Sequence, residues 1–324
     1  MSKTLTNGAG PRRHSNRDGR SDDPFRSLGD VPVPGGHLYV AQAGPRPDDA
    51  DAVALAIHGV TSSHMAWRTV ARAMGPDSGV CLLAPDLRGR GRSAGVPGPF
   101  GVRTYVSDLL QVLDAAGVER AILVGHSMGA YLAARIAADH PDRAAAVVLV
   151  DGGLYIPVPP DEDVEALLEM VVEQVVSRLR MTFQSEDEYV QRWSEHPALR
   201  REWNDDLDAY ARFELAGPPG GMRCIVSEEA ATVDCADLML DEGTQRALER
   251  VTAPLYLARA ERGLLDDQPV LPAAVVDEFI SAHPEARVDY MAGCNHYTMV
   301  LGSGPGPRGV AALIRAAIPH AITV

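Results

Sequence analysis

The chain has 324 residues, of which 46% are apolar and 23% charged, and its formal net charge is −14. That length and apolar share suit one large α/β domain, or a domain carrying an insert, around a packed core. The negative balance, with 22 acidic against 9 basic side chains in 161–250, repels nucleic acid and anionic lipid and reads as a solvated face.

Residues 1–30 are polar, contain Arg12, Arg13, Arg17, Arg20 and Arg26, and lack an apolar core. They read as a disordered tail and not as a signal peptide. Short β-like runs then alternate with helical patterns: 37–43, 53–57, 80–84, 121–124 and 145–150 as strands, 64–74, 104–116 and 128–140 as helices. The alternation predicts a mostly parallel sheet with helices on both faces.

After Asp151 the rhythm breaks, and 152–250 reads as helices with proline-rich joints. Inserts of this kind leave the carboxyl edge of the sheet, where ligands bind, so this one reads as a helical cap or lid. Its larger apolar residues, among them Met170, Phe183, Trp193, Tyr210 and Met222, are expected mainly to hold the lid helices together. The core accordingly comprises 31–151 and 251–324. In its second part, 255–258 and 287–291 read as strands, and the stretches near 272–283 and 307–318 as helices.

No run reaches the roughly 18 apolar residues of a spanning helix. Cys81, Cys224, Cys235 and Cys294 have neither metal nor disulfide spacing. The expectation is a cytoplasmic protein with a small-molecule substrate and no nucleic-acid, membrane or metal partner; oligomeric state is not encoded in these patterns.

Gly125-His126-Ser127-Met128-Gly129 lies between the apolar run Ala121-Ile122-Leu123-Val124 and a helical stretch. A serine on a sharp strand-to-helix turn needs small residues two positions to either side, where strand and helix pass closely. Gly125 and Gly129 meet that need. The turn puts Ser127 at a helix amino end, whose unpaired N–H groups favour developing negative charge.

A serine nucleophile requires a base, and His296, reached from the last strand across Ala292-Gly293-Cys294-Asn295, is the candidate. His126 is expected to pack under the turn. Two N–H donors must converge on the oxyanion; Met128, after the nucleophile, is one, and Val60, after Ile57-His58-Gly59, is the other. The acid that orients His296 is Asp151, directly after a strand, or less favourably Glu261, Asp266 or Asp267 after the next one.

These features together resemble an α/β-hydrolase fold protein over about 30–320. His58-Gly59-Val60-Thr61-Ser62-Ser63 followed by Trp67 is similar to that family's oxyanion loop, and Asp86-Leu87-Arg88-Gly89-Arg90-Gly91-Arg92-Ser93 to its Asp-x-x-Gly-x-Gly-x-Ser loop, read as structural. The resemblance implies an eight-stranded, mostly parallel sheet with a helical lid after the sixth strand. The family often carries its acid as Gly-x-x-Asp after the strand that follows the lid. Here that stretch is Ala260-Glu261-Arg262-Gly263, and the departure favours Asp151, as in dehalogenase-like and lactonase-like members.

The implied activity is that of a cofactor-free serine hydrolase acting on an ester or lactone of a small, fairly apolar molecule. Carbon–carbon bond hydrolysis and peracid formation use the same triad, and a slow or non-catalytic ligand-binding receptor uses the same fold.

Overall fold

The computed structural model describes residues 23–157, 161 and 163–322. β1 (Arg26–Val33) and β2 (Gly36–Ala43) pair antiparallel, with Asp30 opposite Tyr39 and Val31 opposite Leu38. Most of the tail expected over 1–30 lies outside the described residues, but its end is corrected: 26–30 are strand. Alternation is broken at Gly29, where the register shifts, so the pattern signal was weak. The pairing with β2 and the burial of Val31 and Val33 hold the strand in place.

Short apolar runs without polar alternation can face water on neither side, which is the condition of interior parallel strands. β3 (Ala52–Ile57), β4 (Val80–Pro85), β5 (Ala121–His126) and β6 (Ala144–Val150) are buried at every position. β7 (Leu215–Ala216) and β8 (Arg223–Cys224) form a separate hairpin, and β9 (Leu255–Arg262) and β10 (Arg287–Asn295) complete the main sheet. Its order is β1-β2-β4-β3-β5-β6-β9-β10, parallel except at β1 and β2.

The helices α1 (Arg68–Met74) and α10 (Pro305–Ala321) pack with Ala54, Ala56, Ile122 and Val124 on one face. On the other, α2 (Val102–Ala115), α3 (Met128–Asp139) and α9 (Ala273–Ala282) pack with Leu55, Ile57, Leu123 and Leu257. Truncating one of these fully buried leucines to alanine costs about 2–5 kcal/mol.

Between β6 and β9 run α4 (Val164–Val176), α5 (Glu186–Ser194), α6 (Asp205–Phe213), α7 (Glu228–Leu240) and α8 (Glu242–Gln245). Asp163, Ser185, Asn204, Ser227 and Asp241 cap them through side-chain oxygens. The all-helical expectation for this segment is corrected by the β7–β8 hairpin, whose turn is the Gly- and Pro-rich 217–221. Phe183, Trp193, Tyr210 and Met222 are buried within it, whereas Met170 is 60% exposed. The four cysteines are free and buried. Among the described residues, no helix is long and apolar enough to cross a membrane.

Candidate active site

Ser127 sits at φ 56°, ψ −121°, between β5 and α3. A side chain in that conformation is strained, and the surrounding backbone enforces it. A β-carbon built on Gly125 would lie 2.0 Å from the Gly129 carbonyl oxygen, and one on Gly129 would lie 2.1 Å from that of Ile57. Only glycine fits at either position, which is why the strand and helix can close the bend around the hydroxyl.

Three backbone bonds align the candidate residues at the carboxyl edge. The N–H of Ser127 donates to Val150 at 3.0 Å, that of Asp151 to Ala258 at 2.9 Å, and that of His296 to Arg262 at 3.1 Å. Each residue is thereby tied to the adjacent strand. His296 follows β10 directly, because that strand runs through Asn295; the expected turn at 292–295 is instead a strand irregularity at positive-φ Gly293.

Asp151 has no exposed surface and also holds a positive φ, 47°. Its Oδ2 accepts from Nδ1 of His296 at 2.7 Å and its Oδ1 from the Ala260 amide at 3.0 Å. A carboxylate saturated this way keeps the proton on Nδ1 and leaves Nε2 with a lone pair. The other carboxylates considered are engaged elsewhere. Glu261 accepts from the Gly293 amide, Asp266 meets Asn295 and Arg262, and Asp267 closes its own turn.

His126 lies beneath the elbow, as its position suggested. Its Nε2 bonds the carbonyl oxygen of His296 at 2.9 Å, and the two rings are 4.6 Å apart. Since a carbonyl can only accept, Nε2 carries the hydrogen. Burial, with the neighbouring His296 as the next cause, pushes the pKa of His126 down to about 3, so the ring is neutral.

Gly59 faces Ser127: a β-carbon built there would lie 3.2 Å from Cβ of Ser127. The amides of Val60 and Met128 have no hydrogen-bond partner among the described residues. Unpaired N–H groups of this kind are what a developing oxyanion requires. The peptide that bears the Val60 N–H is held from behind. His58 accepts the Leu87 N–H at Nε2, so its Nδ1–H donates to the Gly59 carbonyl at 2.8 Å. Burial lowers the pKa of His58 to about 4, which keeps this tautomer neutral.

The 86–93 loop is structural, as expected. Asp86 accepts from the His64 amide, His64 Nδ1 and the Arg92 amide, and Ser93 accepts from the Tyr39 amide. Arg88 makes a buried two-pronged pair with Asp108 at 2.7 and 2.8 Å. Sequence reasoning gave Arg178 no role and read Tyr210 as lid packing, whereas these residues of the 152–250 segment contact Thr61 and Ser62. Both contacts bridge more than a hundred residues and leave no local periodic signal.

With this geometry in place, the description "alpha/beta hydrolase fold" matches residues 55–236, over half of the chain. The chain belongs to the α/β-hydrolase fold family. The matched stretch includes Val60, Ser127, Met128 and Asp151 and ends before His296. Lipase LipV of Mycobacterium tuberculosis is similar to this hydrolase-fold chain at 39% identity over 114 residues, 35% of this chain and 41% of the lipase. Epoxide hydrolase B of the same organism is 36% identical over 119 residues, 36% of this chain and 32% of that protein. The chain thus spans under half the length of these curated relatives. Among solved structures, E-2-(acetamidomethylene)succinate hydrolase superposes with a TM-score of 0.72 at 23% identity, covering 91% of this chain and 99% of that one. A thioesterase domain from the curacin biosynthetic pathway gives 0.71 at 20%, covering 90% and 99%. At these identities the likeness is one of fold.

Proposed function

We propose that this α/β-hydrolase is a serine hydrolase that cleaves an ester or lactone of a small, fairly apolar molecule without a cofactor. The observation that carries the reading is the 2.7 Å bond from His296 Nδ1 to buried Asp151, at the strand edge where Ser127 is held in its strained turn. Nε2 of His296 takes the Ser127 proton as Oγ attacks the carbonyl carbon. The Val60 and Met128 amides receive the negative oxygen, and the imidazolium, stabilised by Asp151, then protonates the departing alkoxide. Water, deprotonated by the same imidazole, releases the acyl group. Only protons and an acyl group move, so the chemistry calls for no redox carrier.

Residues 152–250 act in this reading as the cap over the site. An apolar substrate is supported by Tyr297, next to His296, whose ring meets Trp193 and His196 edge-on at 5.9 and 5.6 Å. A cytoplasmic setting and a small-molecule partner, rather than nucleic acid or membrane, belong to the same proposal and agree with the −14 charge. The test is a panel of short and long p-nitrophenyl esters, lactones and dienones, run with wild type and Ser127→Ala. Loss of at least about 10³-fold on the ester or lactone arm is expected. Undiminished ester hydrolysis by the variant refutes the mechanism, and turnover confined to dienones moves the reading to carbon–carbon cleavage.

A further inference from the structure

The loop that carries the Val60 amide is held at three consecutive residues, two of them gripped directly by the cap and the first by a core arginine that is itself anchored to the cap. Nε of Arg90 donates to the Val60 carbonyl at 3.0 Å, and Arg90, which has no exposed surface, is itself paired with Asp234 of α7. Nη2 of Arg178, just past α4, donates to Thr61 Oγ1 at 3.1 Å. The hydroxyl of Tyr210, on α6, donates to Ser62 Oγ at 3.2 Å.

Arg178 is not a loose surface side chain. Its Nη1 meets Glu214 at 3.1 Å and the hydroxyl of Tyr189, and its guanidinium lies 4.9 Å from the Trp193 ring centroid. Glu214 is 2% exposed and also accepts from Tyr189 at 2.7 Å. Buried charges are retained when paired and hydrogen-bonded, and a network of this kind has few alternative arrangements.

The peptide planes on either side of the Val60 α-carbon are therefore both fixed. His58 holds the Gly59 carbonyl of the first from the core, and Arg90, tied to the cap through Asp234, holds the Val60 carbonyl of the second. Fixing both planes fixes φ and ψ of Val60, and with them the direction of its N–H. We infer that the 152–250 segment is a working part of the oxyanion hole, with Arg178 and Tyr210 as positioning residues that aim the Val60 amide. The inference rests on the reading of Ser127 as nucleophile and Val60 as oxyanion donor. Oxyanion stabilisation depends on donors already oriented before charge develops, so a slackened loop lowers the rate of the chemical step more than it weakens substrate binding.

The experiment uses the full chain and small changes: Thr61→Val, Tyr210→Phe, the double variant, Thr61→Ser as the conservative control, and Ser127→Ala as the blank. Two readouts are taken: the rate of Ser127 labelling by an alkyl fluorophosphonate, and kcat and KM on p-nitrophenyl butyrate. A full oxyanion donor is worth about 10²- to 10³-fold, so each tether is expected to cost about 10-fold in labelling rate and kcat, with KM changed less than about 2-fold. The double variant should lose about 100-fold and Thr61→Ser should retain near wild-type rates. Normal labelling and kcat in a folded double variant overturn the inference while leaving the Ser127 reading intact, as does a rise in KM without a fall in kcat. If Ser127→Ala labels and turns over like wild type, the nucleophile reading fails and this inference falls with it.

Discussion

Replacing Asp151 by asparagine keeps shape and volume and changes one acceptor into a donor. Because the side chain is fully buried and contacts both the Ala260 amide and His296 Nδ1, it has two ways to settle. With its NH2 toward Ala260, two donors face each other in the core, at a cost of about 1–3 kcal/mol. With its NH2 toward His296, the Ala260 bond survives, but Nδ1 must become the acceptor. The proton then sits on Nε2, where the lone pair for Ser127 should be, and the imidazolium has no anion beside it. The second arrangement is the cheaper one. Unfolding free energy should therefore stay within about 2 kcal/mol of wild type. The kcat on p-nitrophenyl butyrate should fall by about 10³- to 10⁴-fold, about 4–5.5 kcal/mol of barrier, with KM little changed. Urea unfolding and steady-state kinetics on the same preparations measure both. Glu261→Gln is the control, since Glu261 supports only the exposed Gly293 amide, and it should lose less than about 3-fold. Near wild-type turnover in Asp151→Asn together with collapse in Glu261→Gln would move the acid to Glu261, at the end of β9.

Gly129→Ala forces a methyl group into the Ile57 carbonyl, so neither partner can yield by rotating a side chain. A destabilisation of about 3 kcal/mol or more, read from the urea midpoint, is expected, and a neutral result contradicts the close strand–helix approach. His58 and His126 give a pH dependence of definite sign. Their folded pKa values are lowered to about 4 and about 3, below the ordinary value of 6.5, so above pH 6.5 neither contributes a difference. Below it the unfolded chain takes up protons that the fold refuses. Stability should fall by about 2 kcal/mol per histidine between pH 6.5 and 5. A His58→Gln variant should lose about half of that slope, and an unchanged slope would mean that His58 is protonated in the fold.

The elbow, the carboxyl-edge placement of Asp151 and His296, and the interior strands were readable because each rests on a local pattern: two glycines around a serine, a carboxylate ending an apolar run, four runs buried on both faces. β1 was not readable, since its alternation fails at Gly29 and its order comes from pairing with β2. β9 and β10 run beyond their apolar stretches, to Arg262 and Asn295, because ladder bonds hold polar residues at the open edge. The grip of Arg178 and Tyr210 on 61–62 is set by tertiary packing alone. The division of labour between His58 and His126 needed geometry too, as a histidine's tautomer follows from what each ring nitrogen faces.

In the proposed mechanism the orienting carboxylate, Asp151, stands directly after β6, which releases the 263–270 turn from any duty toward the imidazole. What that turn keeps is scaffolding: the Asp267 carbonyl bonded to the Gly263 amide, and Asp266 bonded to Asn295. A designer who preserves the Asp266–Asn295 bond can lengthen, shorten or transplant the rest as a specificity graft, without retuning proton transfer on the neighbouring strands.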